Sequence, residues 1–101
     1  MHVDQHDPTP FFAALADPTR LRLLQILASQ PEDRPLCVNA LAARLGVTQP
    51  AVSQHLRVLR SLGLVQAERT GVRVHYFVDR PRFLQWRRLV EETLDLAKGN
   101  G

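Results

Sequence analysis

The sequence predicts a mainly α-helical domain with one small β-hairpin, and three observations support this fold class. Apolar residues recur at helical spacing through most of the chain from Phe11 onward. A shorter stretch, from Leu64 to Val78, is rich in β-branched residues on both sides of Gly71, which is typical of two paired strands. The 101 residues include a single cysteine, so one ordinary domain without an internal disulfide framework is expected.

The first third of the chain carries the start signals of two helices. Residues 1–10 contain two prolines and no apolar period, which predicts a flexible N-terminal segment. A short helix is expected from Phe11 to Ala16. Asp17 then has the position of an N-cap and Pro18 that of a first helical residue, so a second helix should begin at Pro18 and end before Pro31.

The middle of the chain predicts a helix-turn-helix. Asn39 is placed to cap a third helix, and Gly46 has the position of a glycine that ends it. Thr48 is placed to cap a fourth helix, in which Pro50 is tolerated because the first turn needs no amide donor. Two helices joined by so short a turn cannot lie antiparallel, so they form a helix-turn-helix.

The last third predicts a hairpin and a final helix. Strands over 64–69 and 72–78 should meet at a tight turn of Thr70 and Gly71. The final helix should start at Pro81 and run to about Lys98, which leaves residues 99–101 as a disordered tail. The complete order predicts a winged helix-turn-helix, with one DNA-binding and dimerisation domain over 11–98.

The first and last predicted helices have more apolar surface than one neighbouring element needs. The stripe on the last helix is about 160° wide, and excess apolar surface on a terminal helix indicates a partner. A homodimer through these two helices is therefore expected, with an intrachain core as the alternative. The residues expected at the dimer interface are Phe11, Phe12, Leu15, Phe83, Trp86, Val90 and Leu94.

Positive charge is concentrated in one part of the chain. Between Arg44 and His75 there are five arginines and one glutamate, a net charge of +4, whereas the rest of the chain sums to −1. A basic block within folded sequence indicates a face that binds a polyanion. A solvated helical face is the alternative that charge alone leaves open.

Two segments at fixed separation make the sequence resemble the ArsR/SmtB family of bacterial transcriptional repressors. These are LADPTRLRLL, residues 15–24, and VSQHLRVLRSLGLV, residues 52–65, and the likeness runs from about Phe11 to Val78. The resemblance implies a dimeric winged helix that represses its operator until an effector, often a metal ion, binds. It also implies that the first and last helices form the dimer and that the fourth helix reads DNA.

The fourth helix and the hairpin carry the residues expected to bind duplex DNA. Gln49, Ser53 and Gln54 are suited to base edges, and the resemblance implies base reading from the same positions. Arginines are better suited to phosphates, with a surface salt bridge as the alternative. For His55, packing or an internal hydrogen bond competes evenly with a phosphate contact. The complete set is Thr48, Gln49, Ser53, Gln54, His55, Arg57, Arg60, Arg69 and Arg73.

The effector is less well indicated than the DNA-binding function. Arsenic, cadmium and lead sensors of the resembled family often carry Cys-x-Cys in the third helix, but here the matching stretch is Cys37-Val38-Asn39. Its zinc and cobalt sensors use histidine and carboxylate ligands on the last helix, which has no histidine in this chain. The remaining candidates are His2, Asp4 and His6, which suit Ni(II) or Zn(II) if they are not simply a solvated tail.

Other functions are less well supported. No nucleophile with an adjacent base, metal cage or phosphate loop is present, so an enzyme is not expected. Apolar runs are too short for a membrane span or a secretory segment, which predicts a cytoplasmic protein. We expect a homodimeric repressor of a near-palindromic operator that responds to nickel or zinc. The alternatives are control by a partner protein, redox state or organic effector, and, more remotely, a protein-interaction module.

Overall fold

The computed structural model describes residues 7–31 and 33–95 and confirms the predicted fold class. Five helices and one antiparallel hairpin follow each other in the order that the sequence predicts. Their bounds are α1 Thr9–Leu15, α2 Pro18–Ser29, α3 Val38–Leu45, α4 Gln49–Ser61, β1 Val65–Thr70, β2 Arg73–Val78 and α5 Arg80–Thr93.

Three helices begin at side-chain caps followed by a proline in the first turn. The Asp17 carboxylate accepts a hydrogen bond of 2.9 Å from the main-chain N–H of Arg20, and the Thr48 hydroxyl accepts one of 3.2 Å from Ala51. Asp79 caps α5 in the same way. Because these bonds satisfy amides that have no partner within the helix, they fix where α2, α4 and α5 start.

Several element ends differ from the sequence prediction. Helix α1 begins at Thr9 after a buried Pro8, inside the segment expected to be flexible. The N-cap of α3 is Cys37 and not Asn39, because the Cys37 carbonyl already accepts a bond from Leu41, and no side chain caps this helix. Helix α5 ends at Thr93, whereas the prediction extended it to about Lys98.

The core lies between the helix-turn-helix and the two elements that flank it. Gly46, at φ 68°, ends α3 in the left-handed conformation and lets the chain turn directly into α4. Helix α4 buries Val52, Leu56 and Leu59 on one side, against α2, α3 and β1. Its opposite side is thereby left to solvent, which gives the helix an apolar back and a polar front.

The hairpin turns one residue later than predicted. Thr70 pairs with Arg73, so the two turn residues are Gly71 and Val72, and the side chain of Val72 is 95% exposed. Gly71 adopts φ 64°, a backbone conformation that costs glycine little and that suits the first position of a two-residue hairpin loop. The expectation that the second strand begins at Val72 is therefore wrong.

Helices α1 and α5 meet through an aromatic cluster. The ring of Phe11 stacks on Trp86 with centroids 5.6 Å apart, and Phe83 packs edge-on at 6.0 Å. The indole N–H of Trp86 donates a 2.9 Å hydrogen bond to the carbonyl of Leu62 just after α4. Aromatic pairs of this kind add about 0.5–1.5 kcal/mol beyond area burial, so the cluster ties α5 to α1, and the indole bond ties it to the end of α4.

Helix α5 nevertheless buries no residue completely in the single chain. Phe12 on α1 is 46% exposed, and Leu94, the residue directly after α5, is 55% exposed. Among the residues that the structure describes, no helix has the length and apolar character needed to cross a membrane.

Candidate nucleic-acid interface

The polar front of α4 presents five of the residues expected to bind DNA. The side chains of this front are exposed, whereas the apolar side chains behind them are buried. A helix of 13 residues with this division can enter a major groove without uncovering its core. The exposed residues of the front are Gln49, Ser53, Gln54, Arg57 and Arg60.

The arginines of this surface are free to meet phosphates. Within residues 7–31 and 33–95 no carboxylate forms an ion pair with Arg57, Arg60 or Arg44. Arg22 is used differently, because its guanidinium donates a 3.4 Å hydrogen bond to the carbonyl of Arg44 in the last turn of α3. The salt-bridge alternative for the α4 arginines therefore finds no support in the described residues.

The start of α4 adds a second positive feature. Thr48 caps the helix with its hydroxyl, so the role as a cap expected from the sequence is confirmed. Pro50 has no N–H and the N–H of Ala51 bonds the Thr48 hydroxyl, so the main-chain N–H of Gln49 and the helix dipole are what favour a bound anion at this end. A phosphate near Thr48 would place the exposed side chains of Gln49 and Ser53 over neighbouring bases.

His55 lies at the side of α4 that packs on the start of α2. It is half-buried, and its Nδ1 atom is buried without a hydrogen-bond partner among the described residues. The hydrogen bond from the Arg20 amide lowers the pKa of the Asp17 carboxyl against a smaller opposing effect of burial, and electrostatic interactions with His55 and Arg20 lower it further. The structure therefore places His55 near the cap of α2, away from the centre of the exposed front.

Arg20 has a structural bond in this cluster. Its guanidinium Nη1 donates a 3.0 Å hydrogen bond to the carbonyl of Ala14 in α1, and its buried Nε has no described partner. The structure thus gives Arg20 a structural role between α2 and α1.

The hairpin, or wing, carries one cation on each face near its tip. Because Arg69 lies opposite Val74 and Arg73 lies opposite Thr70, the two arginines belong to alternate faces of the ribbon. Arg69 therefore lies on the face that also holds Val74. Arg73 and His75 lie on the opposite face, which we call the outer face of the wing. The sequence places both near the tip but does not reveal that they point to opposite sides.

A glutamine that the sequence analysis does not single out fixes the base of the wing. The amide of Gln30 donates a 2.7 Å hydrogen bond to the carbonyl of Tyr76 and accepts one of 2.8 Å from the N–H of Leu36. One side chain thus joins the end of α2, the loop before α3 and strand β2. A polar residue next to Pro31 is the only sequence signal, and it does not identify the partner.

The helix-turn-helix and the elements beside it match a known protein family in sequence. Residues 17–67, from the cap of α2 to the middle of β1, match the model described as bacterial regulatory protein, arsR family. The chain belongs to the arsR family. The expected ArsR/SmtB resemblance is therefore confirmed, and a family of regulatory proteins agrees with the expectation that the chain is not an enzyme.

Curated relatives match the same part of this arsR-family chain. It is 49% identical over 77 residues to a transcriptional repressor SmtB homolog from Synechocystis sp., which covers 75% of this chain and 55% of that protein. It is 44% identical over 72 residues to a probable mercury resistance operon repressor from Streptomyces lividans, and the match covers 71% of this chain and 54% of that protein. The chain thus spans about half the length of these curated relatives.

Solved structures with the same fold include two relatives of the arsR-family chain. An ArsR-like transcriptional regulator from Rhodococcus sp. RHA1 aligns with a TM-score of 0.74 at 27% identity, covering 90% of this chain and 82% of that one. The homodimeric winged helix-turn-helix DNA-binding domain of Mb0332 from Mycobacterium bovis aligns with a TM-score of 0.64 at 31% identity, covering 86% and 77%.

The described residues of this arsR-family chain include few of the metal ligands that the resemblance implies. Cys37 contributes a single half-buried thiol at the start of α3, and the described part of α5 has carboxylates but no histidine. Within residues 7–31 and 33–95, no group of three or more His, Cys, Asp or Glu side chains could hold a metal ion. The candidates His2, Asp4 and His6 lie outside the described residues.

Proposed function

We propose that this chain is a homodimeric repressor that binds a near-palindromic operator through α4 and the wing. The observation that carries the proposal is the exposed front of α4, where amides and a hydroxyl lie beside arginines that no described carboxylate neutralises. A surface with uncharged hydrogen-bonding groups next to free cations fits base edges flanked by phosphates. It contains no aromatic side chain for stacking on single-stranded bases, which favours duplex DNA over RNA.

The proposed dimer joins two protomers through α1 and α5. Two observations support it: the exposed apolar side chains of Phe12 and Leu94, and the homodimeric state of the Mycobacterium bovis structure. Behind these contacts, the proposed dimer has a second apolar layer. It consists of Phe11, Phe83, Trp86 and Val90, with Leu15 at its edge. An isologous interface of this kind relates the two α4 helices by a two-fold axis.

The two α4 helices would enter successive major grooves about one helical turn apart, and the wings would hold the flanks. Gln49, Ser53 and Gln54 would read bases there. Arg57 and Arg60 would bind phosphates beside the groove, and Arg69 and Arg73 would bind the backbone on either side of the wing tip. His55 would act through packing against α2 and, at most, through one phosphate.

We further propose that a metal ion, Ni(II) or Zn(II), releases the repressor from DNA through His2, Asp4 and His6. The relative from Streptomyces lividans is described as a mercury resistance repressor, which supports metal control of a related chain. Imidazole and carboxylate donors suit these two ions better than the thiol-seeking ones. Cys37 alone cannot supply the several thiolates that a soft ion requires.

A fluorescence-anisotropy titration tests both proposals. The purified protein is titrated into labelled duplex from its own upstream region and into random duplex, at one salt concentration, with and without Ni(II) or Zn(II). Binding to the upstream duplex well above random duplex is expected, with weaker binding when metal is added. His2→Ala and His6→Ala should remove the metal effect and leave DNA binding intact.

The remaining outcomes separate the alternatives. Tight binding that ignores both ions would reject the metal proposal and favour a partner protein, redox control or an organic effector. Equal binding to both duplexes at low salt, even with further candidate operators, would reject sequence-specific repression and favour an interaction module. Cytoplasmic location follows from this function and is checked by cell fractionation.

A further inference from the structure

A cavity of about 460 Å³ lies between the end of α2, the loop before α3 and the outer face of the wing. Its volume is within the range of about 300–1,000 Å³ that is usual for small-molecule sites. None of the DNA-facing residues of α4 lines it. The cavity is therefore separate from the proposed nucleic-acid interface, although one of its walls is the wing.

The walls of the cavity combine an apolar floor with opposite charges. Leu27, Phe77 and two prolines, Pro31 and Pro35, provide the apolar part. Glu68 lies directly across the hairpin from His75, and this pair is on the same face as Phe77, two residues nearer the tip. Arg80 lies at the other end, just after β2, and its Nη2 donates a 2.8 Å hydrogen bond to the carbonyl of Ala28.

The polar groups of this cavity have unused hydrogen-bonding capacity. The side chains of Glu68 and His75 make no hydrogen bond or ion pair with any described residue. Arg80 uses one of its five N–H donors on Ala28, which holds the guanidinium in place and leaves the others free. An anchored cation and an acceptor carboxylate at separate points of one apolar cleft match a ligand that carries both charges.

We propose that this cavity binds a small zwitterion with an apolar side group, of the kind that free aromatic or aliphatic α-amino acids present. The ligand carboxylate pairs with Arg80, its ammonium group pairs with Glu68, and its side group lies on Phe77 and the prolines. A simple anion fits less well because of Glu68, and a simple cation fits less well because of Arg80. This inference deepens the proposed function and rests on it for its regulatory part.

The ligand would act on the wing through Gln30. That side chain also lines the cavity and holds β2 by its 2.7 Å bond to the carbonyl of Tyr76. A molecule wedged between α2 and the outer face of the hairpin shifts this bond, and with it the position of Arg69 and Arg73. Occupation of the cavity therefore changes DNA affinity without contact between the ligand and α4.

Amide NMR spectra of the full chain test binding directly. The probe is L-phenylalanine, and the matched controls are 3-phenylpropanoate, which lacks the ammonium group, and 2-phenylethylamine, which lacks the carboxylate. Saturable shifts are expected for the side-chain amide of Gln30 and the main-chain amides of His75 and Phe77. Each control should bind about tenfold more weakly, because one charge-assisted contact is lost.

Glu68→Gln tests the assigned contact, and Glu92→Gln is its matched control on exposed α5. Glu68→Gln should remove the preference for phenylalanine over 3-phenylpropanoate, whereas Glu92→Gln should keep it, and both spectra report that the variant is folded. Absence of saturable shifts at the three residues, or equal affinity for all three probes, would overturn the site.

The proposed effect of the bound ligand on DNA affinity, which is the regulatory part of the inference, is tested by repeating the anisotropy titration with phenylalanine present. A changed affinity for the upstream duplex in the wild type, absent in Glu68→Gln, supports it. Phenylalanine binding with no change in DNA affinity overturns the regulatory part. Phenylalanine binding by a protein that prefers no duplex overturns the proposed repressor function and leaves the binding site established.

Discussion

The amide nitrogen of Gln30 lies 2.7 Å from the main-chain carbonyl oxygen of Tyr76, 46 residues further along the chain. The other end of the same amide accepts a 2.8 Å hydrogen bond from Leu36. Since the wing is only a two-stranded ribbon, its position depends on contacts at its base, and such ribbons are marginally stable alone. Gln30 thus couples the helical core to the element that carries Arg69 and Arg73.

Gln30→Ala is expected to loosen the wing. Two part-buried groups, the Tyr76 carbonyl and the Leu36 N–H, lose their hydrogen-bond partner, which should lower the free energy of unfolding by about 1–3 kcal/mol. DNA affinity should fall, and Arg73→Ala should then reduce the affinity less in the Gln30→Ala variant than it does in the wild type. Chemical denaturation and anisotropy measure the two effects. Gln25→Ala, an exposed position on α2, is the control, and additive losses for Gln30 and Arg73 would argue against coupling.

Gln54→Ala is expected to reduce discrimination between operator and random duplex. A side-chain amide that hydrogen-bonds a base edge contributes about 1–3 kcal/mol of discrimination, so the affinity ratio should fall about fivefold or more. Competition binding at fixed salt measures this ratio. An unchanged ratio would remove Gln54 from base reading.

Arg57→Ala is expected to weaken binding to operator and random duplex alike. Loss of one phosphate contact per protomer lowers the slope of log affinity against log salt by about 0.9, or about twice that in a dimer. Anisotropy over a salt series measures the slope. Selective loss of operator binding, with the slope unchanged, would contradict a phosphate contact.

Leu94→Lys is expected to shift the protein from dimer to monomer. Leu94 is 55% exposed on the proposed interface of α5, so a charge there disfavours the dimer without disturbing the single-chain core. Sedimentation velocity measures the change. Gln85→Lys is the matched control, because Gln85 is exposed and lies nine residues before Leu94, about half a turn round the helix axis. Equal dissociation by both variants would place the interface elsewhere.

Asp17→Asn is expected to make stability less sensitive to acid. The hydrogen bond from the Arg20 amide lowers the pKa of Asp17 in the folded protein. A lowered carboxyl pKa stabilises the fold above the unfolded value of about 3.9, and this contribution is lost as pH falls through the folded value. Asparagine retains the cap without the charge. The free energy of unfolding, measured by denaturation at a series of pH values, should therefore become similar for the wild type and Asp17→Asn below about pH 4. A difference between the two proteins that stays constant with pH would disprove the linkage.

The parts of the fold that depend on local chemistry were predictable from the sequence. Asp17 and Thr48 stand directly before turns that contain prolines, and Gly46 supplies the left-handed residue that ends α3. The helical spacing of Val52, Leu56 and Leu59 in the sequence indicates which side of α4 is buried. These features follow from hydrogen bonds and burial within a few residues, which the sequence displays directly.

The errors and omissions arise where partners are distant in sequence or where alternatives differ by one residue. A cap at Cys37 or at Asn39 is a difference of two positions that packing of α3 decides. The turn could use Thr70-Gly71 or Gly71-Val72, and only strand pairing distinguishes them. The bond from Gln30 to Tyr76 spans 46 residues, which no periodicity reveals.

The central claim, that α4 reads a symmetric duplex sequence as part of a dimer, is tested most directly by selection from a random duplex pool. The purified chain is used to enrich bound DNA over several rounds, and the recovered sequences are compared. We expect a near-palindrome with half-sites about one helical turn, or about 10 base pairs, apart. Gln54→Ala should relax the preference at one position of each half-site. Recovery of unrelated sequences, or of a single asymmetric half-site, would contradict the account.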